Sequence, residues 1–412
     1  MSSDVAELDR GTGMLPDGWI EVRLGDVSRS FAGGTPSRSN PAYYGSGTPW
    51  LKSGEVRAGR ISVIEEEITD VGLRESSARV AKAGSPVIAM YGATAGVAGI
   101  LEIDAALNQA VLAIEPVAAK LDREYCFHML SAEAPRLLTM TQGSGQPNLS
   151  KGLIDGLQVA LPPLDEQRRI AEVLRSVDEA VAAAESAVMQ AEQALNLNAE
   201  KLLVHDLADH ANECRLVDLI ASLDAGVSVN SEGRPAADGE VGILKTSCVS
   251  AGHFDPNENK VVRHDEVGRT RVQPSANSII ISRMNTLDLV GANAFVAEDC
   301  PNLYLPDRLW LLKTNSGVIC RWLAYYMKTA RFRAQIIDIA SGTSGSMKNI
   351  SKGRLADLVL HVPEYAEQEI AVGVLLAMES AMLSGRAILR SYRAMRQSLL
   401  SDLLSGHVRV PA

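Results

Sequence analysis

The string Asn148-Leu149-Ser150-Lys151-Gly152 is written again as Asn349-Ile350-Ser351-Lys352-Gly353, an offset of 201. The same offset carries Pro162 onto Pro363, Glu166-Gln167 onto Glu367-Gln368 and Val173-Leu174 onto Val374-Leu375. Nearer the front, Leu51-Lys52-Ser53 echoes Leu244-Lys245-Thr246 at 193, and Leu24-Gly25-Asp26-Val27 echoes Leu216-Val217-Asp218-Leu219 at 192. A 412-residue chain written twice is confined to the order domain, helix, domain, helix. The drift from 192 to 201 puts about nine extra residues in loops of the second copy. Duplication of this kind predicts a pseudo-two-fold axis and two similar but separately variable surfaces.

The helices carry the clearest local pattern. Leu161-Pro162-Pro163 stops a strand and opens a helix, and Asp165-Glu166 supplies anions to its first turn. A strict heptad then runs without Gly or Pro to about Leu207. One seam column is Leu174, Val181, Val188, Leu195 and Leu202; the other is Ile170, Val177, Ala184, Ala191 and Asn198. That register favours a coiled-coil seam on a rod about 60 Å long. The second copy keeps it through Leu375, Met382, Leu389, Arg396, Leu403 and through Ala371, Met378, Gly385, Tyr392, Leu399. Neither seam can stay in water, so the two helices are expected to pack on each other as an antiparallel pair. A coiled coil formed with another chain is the alternative.

The remaining regions read as mixed, strand-rich domains. Runs such as Ser85–Met90, Ala110–Ile114 and Ser278–Ser282 are broken by Gly, Pro, Ser and Asn clusters. An amphipathic helix is expected after each set, at about 121–140 and 316–340. The boundaries predicted are a flexible N-terminus at 1–14, a first domain at 15–160, a central helix at 161–210, a second domain at 211–362, and a C-terminal helix and tail at 363–412. The fold class expected is α+β.

Charge sits unevenly. The formal net charge is −10, but 161–210 alone holds 4 basic and 10 acidic residues. The two domain regions are close to neutral, at 13 basic against 16 acidic and 17 against 16. Nucleic-acid binding therefore remains open wherever basic side chains cluster. No uninterrupted apolar run approaches the roughly 18 residues of a membrane span, and the first residues are polar and acidic. The five cysteines are scattered, with no CxxC, which points away from disulfides and zinc and towards a reducing cytoplasm.

Catalytic motifs are missing. There is no phosphate loop, no strand-borne GxGxxG and no Gly-x-Ser-x-Gly elbow. His205/His210 and His253/His264 lack a third ligand at metal spacing. Asp255, Glu258 and Lys260 only faintly suggest a nuclease cluster, in a Pro-Asn loop. The chain reads as a binder.

Leu161-Pro-Pro-Leu-Asp-Glu-Gln-Arg-Arg-Ile-Ala-Glu-Val-Leu174 resembles the start of the conserved helix in specificity subunits of type I restriction-modification systems. Gly34-Thr35-Pro36-Ser37-Arg38, with Tyr43-Tyr44 and Pro49–Val56, looks like the opening of that family's target recognition domain. The resemblance covers about residues 15–405. The second copy departs from it: Val362-Pro363-Glu364-Tyr365 replaces Leu-Pro-Pro-Leu, and no Gly-Thr-Pro loop precedes Leu244. The resemblance implies a non-catalytic subunit with two target recognition domains, each reading one half of a bipartite sequence in double-stranded DNA. It implies helices that set the spacer and dock two modification (methyltransferase) subunits, with restriction subunits joining for cleavage. No cofactor is expected in this chain; S-adenosylmethionine, ATP and Mg²⁺ belong to the partners. No membrane partner is expected. The competing class is a coiled-coil scaffold that does not recognise DNA, favoured by the acidic total.

Candidate DNA contacts in the first domain are Arg38, Lys52 and Lys151 for phosphate or guanine, and Tyr43, Tyr44, Gln146 and Asn148 for base edges or sugar. In the second domain they are Lys245, Thr246, Arg283, Asn285, Lys348, Asn349 and Lys352. Tyr43 and Tyr44 suit a core equally well, and Asn148 and Asn349 suit a turn or strand cap. Arg321, Lys328, Arg331 and Arg333 read as a solvated helix face. Helix-packing or partner contacts are expected from Ile170, Leu174, Val177, Val181, Val188, Leu195, Leu202, Leu375, Met378, Met382, Leu389, Tyr392, Leu399 and Leu403.

Overall fold

A computed structural model of the chain describes residues 15–57, 59–141, 148–205, 211–342 and 347–411. It divides into two compact units, Met1–Glu185 with Ala387–Ala412, and Ser186–Arg386. Each unit holds one strand-rich domain and a stretch of both long helices, and the fold is α+β.

In the first unit, Ile20–Arg23 pairs antiparallel with Gln158–Leu161. A five-stranded sheet runs Ser28–Ala32, Val111–Pro116, Pro86–Ala89, Ala98–Leu101, Gly59–Ile61. Its inner strands are continuous apolar runs because both faces are covered: Pro86–Ala89 and Ala98–Leu101 are buried throughout. A four-stranded sheet runs Glu67–Ile68, Tyr44–Leu51, Ala105–Leu107, Arg79–Ala81. Helix α1 (Arg123–Thr139), capped by the Asp122 side chain on Tyr125 N, packs on the larger sheet. Short helix α2 (Lys151–Asp155) is capped by Ser150 accepting from Leu153 N.

The second unit rebuilds this plan. Asn212–Arg215 pairs with Val359–Val362, and the bond from Leu24 N to Leu157 O reappears as Leu216 N to Leu358 O. A four-stranded sheet runs Ile220–Ala225, Leu309–Thr314, Ser278–Ser282, Asn293–Val296. A three-stranded sheet holds Asn259–Val261, Gly242–Leu244 and Leu303–Tyr304. The single helix expected at 316–340 is two, Cys320–Tyr326 and Ala330–Ile339. Thr329 separates them by capping the second through Phe332 N. The repeated Asn-x-Ser-Lys-Gly is the cap of a short helix in both copies, since Ser351 accepts from Arg354 N as Ser150 does from Leu153 N.

The long helices are α3 (Leu164–Glu200) and α4 (Tyr365–Ser405). Beyond Glu200 the backbone widens to a π-helical turn, Lys201–His205, so the α-helix ends short of the expected Leu207 and Leu202 lies in the π turn. Ile170, Leu174, Val188, Ala371, Leu375, Met382, Leu389 and Leu403 are buried; every other expected seam position is half-buried. The direction is antiparallel. In the first unit Asp178 takes Arg396, and Glu185 takes Arg393 at 2.7 Å. In the second, Arg386 reaches Glu192 at 2.5 Å, while Leu195 and Asn196 face Glu379 and Met382 across a cavity. The two weak seam residues are thereby accounted for: Arg396 is neutralised by Asp178, and Gly385 sits under Val188.

Each long helix is tied to its domain by a buried glutamine. Gln167 donates to Lys120 O and Pro162 O and accepts from Asp122 N, all at 2.9 Å. Gln368 donates to Pro363 O and Gly317 O and accepts from Ile319 N at 2.8 Å.

Tyr365–Ser405 has an 18-residue window of mean hydropathy 1.5 and is long and apolar enough by composition to cross a membrane, although Glu369 and Glu379 interrupt its apolar run. Part of that apolar content is seam. The rest faces outward, with Ile370 67% exposed.

His128 on α1 is fully buried against Phe127, and neither ring nitrogen has a hydrogen-bond partner among the described residues. Burial pulls its pKa down to about 4 from the ordinary 6.5, against the opposing pull of Asp178 and Glu124 and with Arg396 and Arg60 adding to the fall. The folded state therefore resists protonation and the unfolded chain does not. Stability is full above about pH 6.5 and falls as pH drops towards 4, by about 3 kcal/mol in all. Urea unfolding at pH 7 and pH 4.5 checks this. His128→Leu is expected to lose that part of the pH dependence.

Candidate nucleic-acid interface

The first unit's Gly-Thr-Pro loop begins where Gly33 and Gly34 pass against the strand Ala105–Leu107. Gly34 N donates to Leu107 O at 2.9 Å, and a Cβ on Gly33 would fall far inside the contact distance of that carbonyl. The loop then turns over the outer sheet. Trp50 Nε1 donates to Gly34 O at 3.1 Å, and Tyr44 packs edge-on against Trp50 with centroids 6.0 Å apart. Tyr44 OH donates to Pro36 O at 2.5 Å. The Arg38 guanidinium lies 4.2 Å above the Tyr44 ring and 5.3 Å from that of Trp50.

Glu66 closes this group. It receives both Arg38 terminal nitrogens, Nη2 at 3.0 Å, and Lys52 Nζ lies 3.3 Å from its Oε2. The Arg38 hydrogen bond, with help from Lys52, holds its carboxyl below the usual range. Arg38, Tyr44 and Lys52 thus converge. Tyr43 stands apart, donating to Glu75 at 2.8 Å. Lys151 is also elsewhere, paired with Asp155 and donating to Ser30 Oγ at 2.8 Å. Asn148 bridges through its backbone to Tyr91. Gln146 lies outside the described residues.

In the second unit a different set converges. Met284–Asn285 forms a two-stranded ribbon with Lys348–Asn349, pairing Met284 with Asn349 and Asn285 with Lys348. Ile350 N donates to Arg283 O, the counterpart of Leu149 N to Met90 O. Arg283, Asn285, Lys348 and Asn349 therefore share one small surface. Arg283 Nε and Asn349 Oδ1 are buried with no hydrogen-bond partner among the described residues, and the Arg283 guanidinium sits 5.9 Å from the Trp310 ring. Lys348 Nζ donates to Gly342 O at 3.0 Å, and Lys352 Nζ to Leu223 O. Lys245 pairs with Glu258 at 2.9 Å, beside Thr246 in a 3₁₀ turn.

Three features went unread in the sequence. Glu66 is 28 residues from Arg38 and meets it through sheet pairing. Gly226 is the counterpart of Gly33, its Cβ position blocked by Leu305 O and Val227 N donating to that carbonyl. The offset of 193 was the available signal. Of the basic run 321–333 only Arg331 is exposed as a solvated face requires: Arg321 lies 4.2 Å over Phe295, Lys328 is half-buried, and Arg333 donates to Val290 O and Asp288 O. Asp255 and Glu258 serve local bonds, to Asn257 N and to Ser247 and Lys245. Among the described residues no group of three His, Cys, Asp or Glu side chains is placed to hold a metal ion.

Comparison with known proteins follows the same lines. Residues 16–190 match the family model for the type I restriction modification DNA specificity domain. The chain is 24% identical over 169 residues to the EcoR124I/EcoR124II specificity subunit of Escherichia coli, covering 39% of this chain and 42% of that protein. It is 21% identical over 385 residues to the EcoKI specificity subunit of E. coli strain K12, covering 86% and 81%. The match thus spans less than half the length of the first of these relatives and most of the second. Among solved structures, the S subunit of a type I restriction-modification system from M. genitalium aligns at a TM-score of 0.61 with 14% identity, over 95% of this chain and 98% of that one. A chain from a study of assembly and conformational transition of the type I R-M system aligns at 0.58 with 17% identity, over 96% and 100%. These likenesses establish the fold.

Proposed function

We propose that this chain, which belongs to the family of type I restriction-modification specificity subunits, selects the DNA sequence for such a complex without catalysing any step. Each unit reads one half of a split target. The observation that carries this is the duplicated scaffold with unlike faces. The same glycine contact, cap and helix clamp recur in both units, yet one presents Arg38, Tyr44 and Lys52 and the other Arg283, Asn285, Lys348 and Asn349. A rigid frame bearing different donors is what reading two different half-sites requires. The helix pair sets the spacing between halves.

The outer face of α4 supports the partner reading. Ile370 and Val374 are exposed in the second unit, and Ile388 and Met395 in the first, leaving apolar surface in each for a modification subunit to cover. S-adenosylmethionine, ATP and Mg²⁺ chemistry then belongs to the modification and restriction subunits.

A methylation map of the host genome with and without this gene tests the proposal. One asymmetric, interrupted motif is expected to lose its methylation on deletion. An unchanged map beside an active methyltransferase would sink the DNA-reading role and favour the scaffold. Arg38→Ala is expected to relax one half of the motif, leaving the other half and the spacer intact. Relaxation of both halves together would refute the assignment of one unit to one half.

A further inference from the structure

Both copies of the repeated lysine are already neutralised from within their own unit. Lys52 meets Glu66, which also takes both ends of the Arg38 guanidinium. Lys245, its counterpart at 193, meets Glu258, which also accepts from Ser247 Oγ. Each carboxylate directly precedes the strand that pairs antiparallel with the strand leading into the lysine, Glu67–Ile68 in the first copy and Asn259–Val261 in the second. The register differs by two residues, since Trp50 N donates to Glu66 O in the first copy and Lys245 N to Glu258 O in the second. Both carboxyls are held below their ordinary pKa range by these partners. The two flanking sequences share no motif, so the pairing is a property of the fold.

We infer that Glu66 and Glu258 are specificity-determining carboxylates, which suppress sequence-independent phosphate binding at Arg38 and Lys52 in the first unit and at Lys245 in the second. The inference rests on the DNA-reading role proposed above. A carboxylate on the end of a guanidinium occupies the place of a phosphate, with the same two-point geometry. Pairs as exposed as these are weakly held and exchange readily. The carboxylate nevertheless stays next to the cation, and its charge repels any phosphate that approaches. A neutral base edge meets no such repulsion. Arg38 Nε has no acceptor among the described residues, so one edge of the guanidinium stays available for a base while Glu66 holds the other. Affinity for DNA in general is surrendered and discrimination is gained.

The full chain is titrated against two labelled duplexes of about 30 base pairs, one bearing the motif from the methylation map and one scrambled, over a series of KCl concentrations. Glu66→Gln frees two cations and Glu258→Gln frees one. The slope of log affinity against log salt is therefore expected to steepen by about 1.8 and about 0.9 respectively. Affinity for the scrambled duplex rises roughly tenfold, and the preference for the motif narrows by a similar factor. Glu66→Asp, which keeps the charge, retains the shallow slope. Glu179→Gln removes the carboxylate of an exposed pair, with Arg175, on the long helix and is expected to change neither slope nor preference. Unchanged slopes in the Glu66 and Glu258 variants, or an equal rise in the Glu179 variant, would overturn the inference. If the unaltered chain, tested with its modification subunits, shows no preference for the motif, the DNA-reading role itself fails and the inference falls with it.

Discussion

Gly226→Ala is expected to destabilise the second unit by about 4 kcal/mol, a loss large enough to unfold many domains. The new methyl group would meet the carbonyl of Leu305, a backbone atom that cannot swing aside as a side-chain end can. The strand end would have to retreat. That breaks the bond from Val227 N to Leu305 O, 3.0 Å long, and leaves both groups wanting partners. Gly33→Ala is expected to do the same in the first unit, against Leu107 O. Gly233→Ala is the matched control. It lies seven residues on, with nothing within 4 Å of its Cβ position, and is expected to fall within about 0.5 kcal/mol of the unaltered chain. Thermal unfolding of the three variants checks the ranking. Near-equality of Gly226→Ala and Gly233→Ala would show that the close approach is not a structural requirement. In the host, the Gly226 variant is expected to lose methylation at the motif, because a recognition face on an unfolded unit reads nothing.

Periodic and local features were the ones legible in the sequence. The seam columns from Ile170 to Leu202 and from Ala371 to Leu403 could be read because a heptad is a local rule, and the helices bury them or half-bury them as that rule requires. The strands Pro86–Ala89, Val111–Pro116 and Ser278–Ser282 announced themselves as short apolar runs. Contacts made through sheet pairing did not. Arg38 meets Glu66 because the strand Tyr44–Leu51 lies beside Glu67–Ile68, a pairing that no spacing rule encodes. The basic run at 321–333 misled for a related reason. Its helical spacing gave a charged face, but Arg321, on the helix before the break, lies over Phe295, and the second helix, restarted at Thr329, carries Arg333 onto the carbonyls of Asp288 and Val290. The repeat showed that there were two faces; which side chains compose each face is decided by tertiary pairing.

The repeated Glu-Gln at the start of each long helix yields the second large effect. Gln167 spans Pro162, at the mouth of α3, and the segment Lys120–Asp122 that leads into α1. It is 1% exposed, so its own amide is away from water, although the partners at Lys120 and Asp122 are not fully buried. Gln167→Ala strands an amide N–H and two carbonyls and leaves a gap, which together cost about 4 kcal/mol. For a unit of this size that corresponds to a fall in melting temperature of about 10 °C. Gln368→Ala is expected to cost somewhat less, because its bond to Gly317 O is long at 3.4 Å. The discriminating variant is Gln167→Glu. It preserves shape and can still accept from Asp122 N, but it replaces the amide donor by an oxygen facing Lys120 O and Pro162 O. If the glutamine acts as a donor clamp, the glutamate variant is at least as damaged as the alanine one, and lowering the pH to about 4 recovers part of the loss by restoring a proton to the carboxyl. If glutamate is tolerated at pH 7, packing rather than hydrogen bonding holds the helix to its domain. The attachment of α3 to its domain would then rest on the apolar contacts around Ile170 and Leu174.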